Sequence, residues 1–458
     1  MKIPRVIVAG EGSGCGKSTV TIGLMGGFSS TGVKVQGFKT GPDYIDSSYF
    51  QAVTGRPGRN LDLWMLSIEA VLELFVRNTS ATDVAVIEGV MGLFDGAYPE
   101  GKGSTAHLAK VLQAPVLLVL DAWRSSASLG AKALGFRAFD PEVELHGVIL
   151  NGIAGEAHER AVRQAVERAG LPVVGAIPLV PELRLPERHL GLVPFQEGKA
   201  SETRIRQIVE LVRDRLDLQE IIRIAREAPP LPDFSPVLFA PPPSTPPFRL
   251  AVARDEAFTF YYEDNLDLLR HWGFQVVEFS PLHDSSLPPA DLLYLGGGFP
   301  EVFAESLSRN GAMKEALRRF QRSGGLLYGE CGGFMYLGET LTTSDGQSFP
   351  MAGLLSIQTA MSGRLQALKY KEVEMLKAGA FFRPGDRLKG HEFHFSRLTA
   401  EVGEHALRSV DSTGQVQEEG MVRGSTLASY THLHLASNPS LLQQLPARLQ
   451  SPVPGRKG

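Results

Sequence analysis

Nine of the chain's 30 prolines fall between positions 229 and 247: Pro229, Pro230, Pro232, Pro236, Pro241, Pro242, Pro243, Pro246 and Pro247. No other feature limits the fold as strongly. Proline fixes its own φ and lacks an amide hydrogen, so a run this dense is neither a helix nor an inner strand. It reads as a semi-rigid linker, and it divides 458 residues into two parts long enough to bury separate cores. Before it, apolar runs at 4–10, 33–38, 83–88, 115–120, 145–151 and 172–178 predict strands. Helical patterns lie between or after them, near 16–30, 67–78, 104–113, 156–169 and 201–226. That alternation predicts a largely parallel sheet with helices on both faces. After the linker it restarts, with strands at 249–253, 274–279, 290–295 and 325–329 and helices at 261–272 and 300–322. The expected class is α/β in two three-layer domains, 1–228 and 248–445, joined by the linker 229–247 and followed by a tail, 446–458.

Composition narrows the partners. Hydrophobic residues are 43% and charged residues 21%, as in ordinary soluble globular proteins. A net charge of -4 makes no electrostatic case for nucleic acid or an anionic membrane as partner. No apolar stretch is long enough to span a bilayer. The N-terminus has no signal-peptide pattern, because its short apolar run leads straight into a glycine loop. The two cysteines, Cys15 and Cys331, read as reduced thiols of a cytoplasmic protein.

The first of those thiols lies in a phosphate-cradling loop. Val6-Ile7-Val8-Ala9-Gly10 runs into Ser13-Gly14-Cys15-Gly16-Lys17-Ser18 and opens a helix. The strict P-loop pattern requires glycine at position 11, where this chain has Glu11. Ser13, Gly14, Gly16, Lys17 and Ser18 remain to bind the nucleotide. Glycines admit backbone N–H groups to the phosphates, Lys17 brings a mobile cation, and Ser18 is a magnesium ligand. The loop resembles that of dethiobiotin synthetase and its relatives. Cys15 reads as a small loop residue.

Carboxylates follow at the strand ends. Gly41-Pro42-Asp43-Tyr44-Ile45-Asp46 comes just past the second predicted strand, Glu88 ends the third, and Asp95 lies shortly after it. Ligands of open parallel sheets bind outside the carboxyl ends of the strands, so these four acids are expected to converge on the phosphate loop. The competing reading makes Asp43 and Asp95 turn or cap residues.

In the second half, the strand 325–329 ends in Gly329-Glu330-Cys331-Gly332-Gly333. Small flanking residues let a nucleophile sit on a sharp strand-to-helix turn, as in a Gly-x-Ser-x-Gly elbow. A thiolate there needs a base. His432 and His434 both qualify and share one face of a strand, so spacing does not separate them. Backbone N–H groups of Gly298, in Gly296-Gly297-Gly298-Phe299-Pro300-Glu301, and of Gly332 are the candidate oxyanion hole. His391-Glu392-Phe393-His394 looks superficially metal-binding, but on a strand its histidines face opposite ways, so packing or substrate contact is the preferred reading.

Taken in order, Gly41-Pro42-Asp43-Tyr44-Ile45-Asp46, Asn60-Leu61-Asp62 and Glu88-Gly89-Val90-Met91-Gly92-Leu93-Phe94-Asp95-Gly96 resemble the cobyrinic acid a,c-diamide synthase family. The resemblance covers nearly the whole chain. Relatives acting on hydrogenobyrinic acid or nickel-sirohydrochlorin share much of the pattern. The resemblance implies amidation of the a and c acetate carboxylates of a corrinoid through acyl phosphates, using ATP, Mg2+ and L-glutamine, and a homodimer. It implies that Ser18, Asp43 and Glu88 hold magnesium, that Asp43, Tyr44, Asp46 and Asp95 meet the substrate, and that Asn151 meets the nucleotide base. The second domain resembles a class I glutamine amidotransferase, which implies Cys331 as nucleophile and His432 as base. Typical members carry a Glu two residues after the base. His434 stands there, which implies a Cys-His dyad or another orienting group. A reading of another class is a nucleotide-switch binding protein with a degenerate amidotransferase-like tail. Against it, Gly12 stands where such proteins more often have a lysine, and a switch has no use for an elbow thiol.

Overall fold

The computed structural model describes residues 1–97, 101–188, 191–193, 195, 202–242 and 247–450. The chain separates into two compact units, one ending at Ser235 and one starting at Pro236, so the division falls inside the proline-rich stretch. The described part of that stretch forms neither helix nor strand. It is not loose, however. The Pro229 carbonyl accepts from the Arg5 guanidinium at 2.7 Å, Leu231 N–H donates to the Met1 carbonyl at 2.9 Å, and Leu231 and Leu238 are buried. Pro243, Pro246 and the tail beyond residue 450 lie outside the described residues.

The first unit runs β1 (Arg5–Gly10), α1 (Lys17–Ser30), β2 (Val35–Thr40), α2 (Ile45–Thr54), β3 (Arg59–Leu61), α3 (Ile68–Thr79) and β4 (Val84–Glu88). It continues with α4 (Thr105–Leu112), β5 (Val116–Asp121), α5 (Ser128–Phe139), β6 (Leu145–Ile153), α6 (Glu156–Arg168) and β7 (Val173–Pro178). A short hairpin, β8 (Glu187–Arg188) with β9 (Gly191–Leu192), leads to α7 (Glu202–Arg215) and α8 (Leu218–Glu227). Seven parallel strands lie in the order β3-β2-β4-β1-β5-β6-β7. Alternation sends Val6, Val8, Val84, Val86, Leu117 and Val119 into one core with Ile22, Phe28, Ile208 and Val212 of α1 and α7. Ile7, Ala9, Ile87 and Leu118 point the other way and are equally buried, so both faces are covered.

The second unit starts with β10 (Phe248–Ala253), α9 (Glu263–His271), β11 (Phe274–Phe279), β12 (Leu292–Leu295), α10 (Ala304–Arg309), α11 (Gly311–Arg322), β13 (Leu326–Glu330) and α12 (Gly332–Leu337). A strand-rich stretch follows: β14 (Thr340–Thr342), β15 (Ser348–Pro350), β16 (Ile357–Met361), β17 (Ala367–Met375), β18 (Arg387–His394) and β19 (Ser396–Glu401). After β20 (Glu404–Asp411), β21 (Val416–Arg423), β22 (Thr426–Ser429) and β23 (His432–His434), α13 (Pro439–Gln450) closes the described chain. Ten strands form a sheet ordered β11-β10-β12-β13-β22-β21-β20-β17-β18-β23, parallel as far as β22 and antiparallel beyond it. β15, β14, β16 and β19 make a second, smaller sheet.

The expected α/β class holds in both units, with differences of detail. The pattern at 201–226 is two helices, because Asp217 accepts Glu220 N–H at 2.9 Å and starts α8 afresh. Likewise 300–322 contains α10 and α11, with Asn310 capping the second through Met313 N–H. Helices α2 and α5, strand β3 and the antiparallel strands between residues 340 and 423 carried no expectation, apart from β18, where the segment 391–394 reads as a strand in the sequence.

Candidate active sites

In the first unit the site grows from the β1–α1 loop. Gly14 and Gly16 take φ of 80° and 91°, a region closed to most side chains. A Cβ on Gly16 would lie 2.1 Å from Asn151 Nδ2, and that amide donates to the Cys15 carbonyl at 3.0 Å. Asn151, at the end of β6, is thus clamped to the loop. A cavity of about 620 Å³ opens here, lined by Gly14, Lys17, Ser18, Asp121, Trp123 and Asn151 among others. Ser13 and Gly14 are exposed at its crest. Lys17 folds back on the loop, donating to the Gly12 carbonyl at 3.2 Å, and burial lowers its pKa. Glu11 is explained too: it pairs with Lys132 of α5 at 2.9 Å.

Behind the loop lies a buried charge cluster. Ser18 Oγ donates to Glu88 Oε1 at 2.7 Å and to Asp46 Oδ2 at 3.2 Å. Lys39, at the end of β2, reaches both carboxylates at 2.6 and 2.8 Å. Burial alone would lower Lys39, but Asp46 and Glu88 outweigh it and keep the ammonium charged. Burial opposes ionisation of Asp46 as well, and there Lys39 prevails and holds the carboxyl down. Asp43 is not hydrogen-bonded to Lys39, whose charge lowers it only in part. Burial and the neighbouring Asp46 charge push it up to about 7, while its Oδ1 accepts Ile45 N–H at 2.7 Å. Glu88 is also raised to about 7, because complete burial outweighs Lys39. Asp46, Glu88 and Asp43 therefore belong to one electrostatic cluster. Asp95 does not join it: it is exposed and accepts Gly92 N–H at 2.8 Å as a turn cap. Tyr44 is buried at the start of α2.

Among the described residues, no group of three His, Cys, Asp or Glu side chains is arranged to hold a metal ion by itself. Magnesium does not require one, since it takes one or two carboxylates together with phosphate oxygens and water. Glu88 Oε2 is buried with no hydrogen-bond partner beside the Ser18 hydroxyl, so the donor set fits that ion.

In the second unit Cys331 sits between β13 and α12 at φ 46° and ψ -102°, a strained position for a side-chain-bearing residue. Its N–H donates to the Ser429 carbonyl at 2.8 Å, so β22 fixes the elbow. Burial, aided by the charges of Glu301 and Glu392, pushes the thiol well up. A Cβ on Gly332 would lie 3.0 Å from Gly298 N, so the two candidate oxyanion donors come from adjoining turns. A Cβ on the next glycine, Gly297, would lie 2.3 Å from His432 Cε1. The elbow, the glycine turn and His432 are therefore neighbours.

His434 plays a different part from His432. It packs on Tyr262 at 4.4 Å between ring centroids, neither ring nitrogen is hydrogen-bonded, and burial lowers it to about 3. His391 stacks on His432 at 5.0 Å and bonds Tyr262 Oη through Nδ1 at 2.9 Å. His394 faces elsewhere, pairing with Glu392 at 2.8 Å and stacking on Tyr430.

Sequence reasoning passed over Lys39 and Glu330. Each is a charged residue at the end of an apolar strand, and that mismatch was the available signal. Residues 6–193 match the CobQ/CobB/MinD/ParA nucleotide binding domain, and residues 249–440 match the CobB/CobQ-like glutamine amidotransferase domain. Cobyrinate a,c-diamide synthase of Dehalococcoides mccartyi (strain CBDB1) is 41% identical over 96% of this chain and 97% of its own. The protein of that name from Synechocystis sp. is 42% identical over 96% of this chain and 92% of its own. The one from Archaeoglobus fulgidus is 41% identical over 97% of both. The loop, the carboxylate cluster and the elbow thus occur in a chain that matches these proteins nearly from end to end, and it belongs to the cobyrinate a,c-diamide synthase family.

Proposed function

We propose that this chain amidates the a and c acetate carboxylates of cobyrinic acid, using ATP and ammonia released from L-glutamine at Cys331. One observation carries the reading: a single chain holds a phosphate-cradling loop backed by buried carboxylates and an elbow thiol near a buried imidazole. A nucleotide switch would need only the first.

In the first unit, Gly14, Gly16 and Lys17 hold the triphosphate, and Asn151, clamped by the Cys15 carbonyl, offers its amide to the base. Ser18, Asp43 and Glu88 would hold magnesium, which supplies charge neutralisation for phosphoryl transfer. The assignment of Asp43 rests on charge, because it is the acid of the cluster that Lys39 does not hydrogen-bond. A substrate carboxylate is already nucleophilic at neutral pH. Its oxygen attacks the γ-phosphorus, ADP leaves, and ammonia displaces phosphate from the acyl phosphate to give the amide. No strong base is needed, in keeping with a site built from acids and two lysines. Asp46, Tyr44 and Asp95 are assigned to orienting the substrate.

In the second unit the Cys331 proton passes to His432 as sulfur attacks the glutamine amide carbon. The N–H groups of Gly298 and Gly332 receive the developing oxyanion. Ammonia leaves with the proton from His432, and water hydrolyses the thioester to glutamate. Among the described residues, no helix is long and apolar enough to cross a membrane, and the reading includes a cytoplasmic location. It also includes a homodimer, which sedimentation velocity checks.

The test is mass spectrometry of cobyrinic acid incubated with the protein, Mg-ATP and glutamine. Two successive losses of about one mass unit are expected, one per carboxyl-to-amide conversion. Cys331→Ala should abolish the glutamine-supported reaction and spare the ammonia-supported one. ATP hydrolysis with no change to the tetrapyrrole would overturn the reading.

A further inference from the structure

The family pattern expects an acid two residues after the base, and His434 occupies that place with neither nitrogen hydrogen-bonded. The imidazole of His432 nonetheless has a carboxylate beside it. Glu330 ends β13, immediately before Cys331, and its side chain is 2% exposed. Its Oε1 accepts Tyr328 O–H at 2.7 Å and Leu433 N–H at 3.0 Å. Its Oε2 accepts Tyr294 O–H at 2.7 Å and stands 3.7 Å from His432 Nδ1.

We propose that Glu330 is the positioning carboxylate for His432, taking the part of the missing third triad member from the residue before the nucleophile. The inference rests on the amidotransferase reading of the second unit.

Three observations carry it. First, Glu330 is buried without any lysine or arginine bonded to it, and its three hydrogen bonds come from neutral donors. Among the described residues, His432 is the cationisable group that stands at its Oε2. Second, the bonds from Tyr294 and Tyr328 fix both oxygens, while Leu433 N–H ties the same carboxylate to the strand that carries His432. Oε2 is therefore locked on the Nδ1 side. Third, the other groups around His432 cannot do this work. His391, stacked on it from β18, is kept neutral by burial, and His434 is neutral for the same reason. Glu392 is engaged by Lys371 and His394, and among the described residues Glu330 is the acid that stands within 4 Å of a His432 ring nitrogen.

With a carboxylate facing Nδ1, the tautomer protonated at Nδ1 is favoured and the Nε2 lone pair is free to take the thiol proton. The imidazolium that results is then stabilised by the adjacent carboxylate. The gap of 3.7 Å exceeds a hydrogen bond, and such contacts commonly tighten when substrate binds.

The test is Glu330→Gln in the full chain, with glutamate release as readout and ammonia-supported amidation as the internal control. A drop of about 10²-fold in glutaminase kcat is expected, with KM for glutamine unchanged. The acid limb of the kcat/KM profile should move to lower pH, because loss of the carboxylate makes the imidazole easier to deprotonate. A purely structural residue would leave that limb in place. In a His432→Asn background the same substitution should cost nothing further, since Glu330 acts through the imidazole.

Glu330→Asp keeps the charge and serves if the amide variant does not fold. It should lie between wild type and a charge-free site in rate, with its acid limb near that of wild type. An unmoved limb in Glu330→Gln, or an undiminished penalty without His432, would overturn the proposal. Glutaminase activity surviving in Cys331→Ala would instead sink the amidotransferase reading itself.

Discussion

Gly297→Ala adds one methyl group and tests whether His432 is the base. Gly297 is outside the positive-φ set, so alanine is allowed by the backbone there. The new Cβ would lie 2.3 Å from His432 Cε1 and 3.2 Å from Nε2. An ordinary carbon contact is about 3.5 Å, so the imidazole must retreat by about 1.2 Å. His391 is stacked on the same ring at 5.0 Å between centroids, so the melting temperature of the variant is measured beside its activity. A misplacement of about 1 Å costs on the order of 10²-fold when a group must transfer a proton in line. Glutamate release should therefore fall about 10²-fold, and amidation from added ammonium should persist. Gly298→Ala is a poor substitute, because its Cβ would meet the Ala257 carbonyl at 2.0 Å and distort the turn itself. If Gly297→Ala releases glutamate within threefold of wild type at an unchanged melting temperature, His432 is not the group that takes the thiol proton.

Lys39→Met leaves Asp46 and Glu88 buried without their cation, and breaking such a pair costs roughly 3–5 kcal/mol when the charges stay. Ammonia- and glutamine-supported amidation should both vanish, and a variant that amidates at the wild-type rate would remove Lys39 from the site. Gly16→Ala combines a φ of 91° with a Cβ placed 2.1 Å from Asn151 Nδ2, so ATP affinity should fall about 10-fold or more in equilibrium titration, with glutamine KM unaffected. His434 is lowered to about 3 from 6.5, so the folded state resists a proton that the unfolded state takes. Its contribution is full above pH 6.5 and is lost as pH falls below it, by about 1.4 kcal/mol per pH unit, or about 2 kcal/mol at pH 5. His434→Phe should gain on wild type by that amount between pH 7 and pH 5 in urea unfolding, and equal pH slopes would contradict it.

The parts of the fold that were legible are those where one period dominates. The buried parallel strands β1, β4, β5, β12 and β13 are short continuous apolar runs, and helices α3, α6 and α11 show a 3.6-residue stripe. The strands β17 to β21 are harder. β17 alternates Lys369, Tyr370, Lys371 and Glu372, and its buried positions include a lysine paired with Glu392 and Glu419, so polarity no longer marks the outer face. β3 is three residues long and α5 buries only Leu129, Gly130 and Ala133, too little for a periodic signal. The same logic divides the sites. Glycine loops and the elbow announce themselves by local spacing, whereas Lys39 and Glu330 act through partners 49 and 103 positions away.

The resting thiol ties the second site together. Burial and the acids Glu301, Glu392 and Glu330 all disfavour a Cys331 thiolate, so the free unit does not store an ion pair ready to attack. The proton must leave as the sulfur–carbon bond forms, and the base has to be aimed at that moment. Aim is what the surroundings supply: Gly297 leaves His432 room for one position, His391 stacks on its ring, and Glu330 faces its Nδ1. A site of this kind should spend little glutamine when substrate is absent and should react slowly with alkylating agents at neutral pH. Rapid iodoacetamide labelling of Cys331 at pH 7, faster than that of a free peptide thiol, would show instead that a preformed thiolate exists and that the neutral-thiol argument fails.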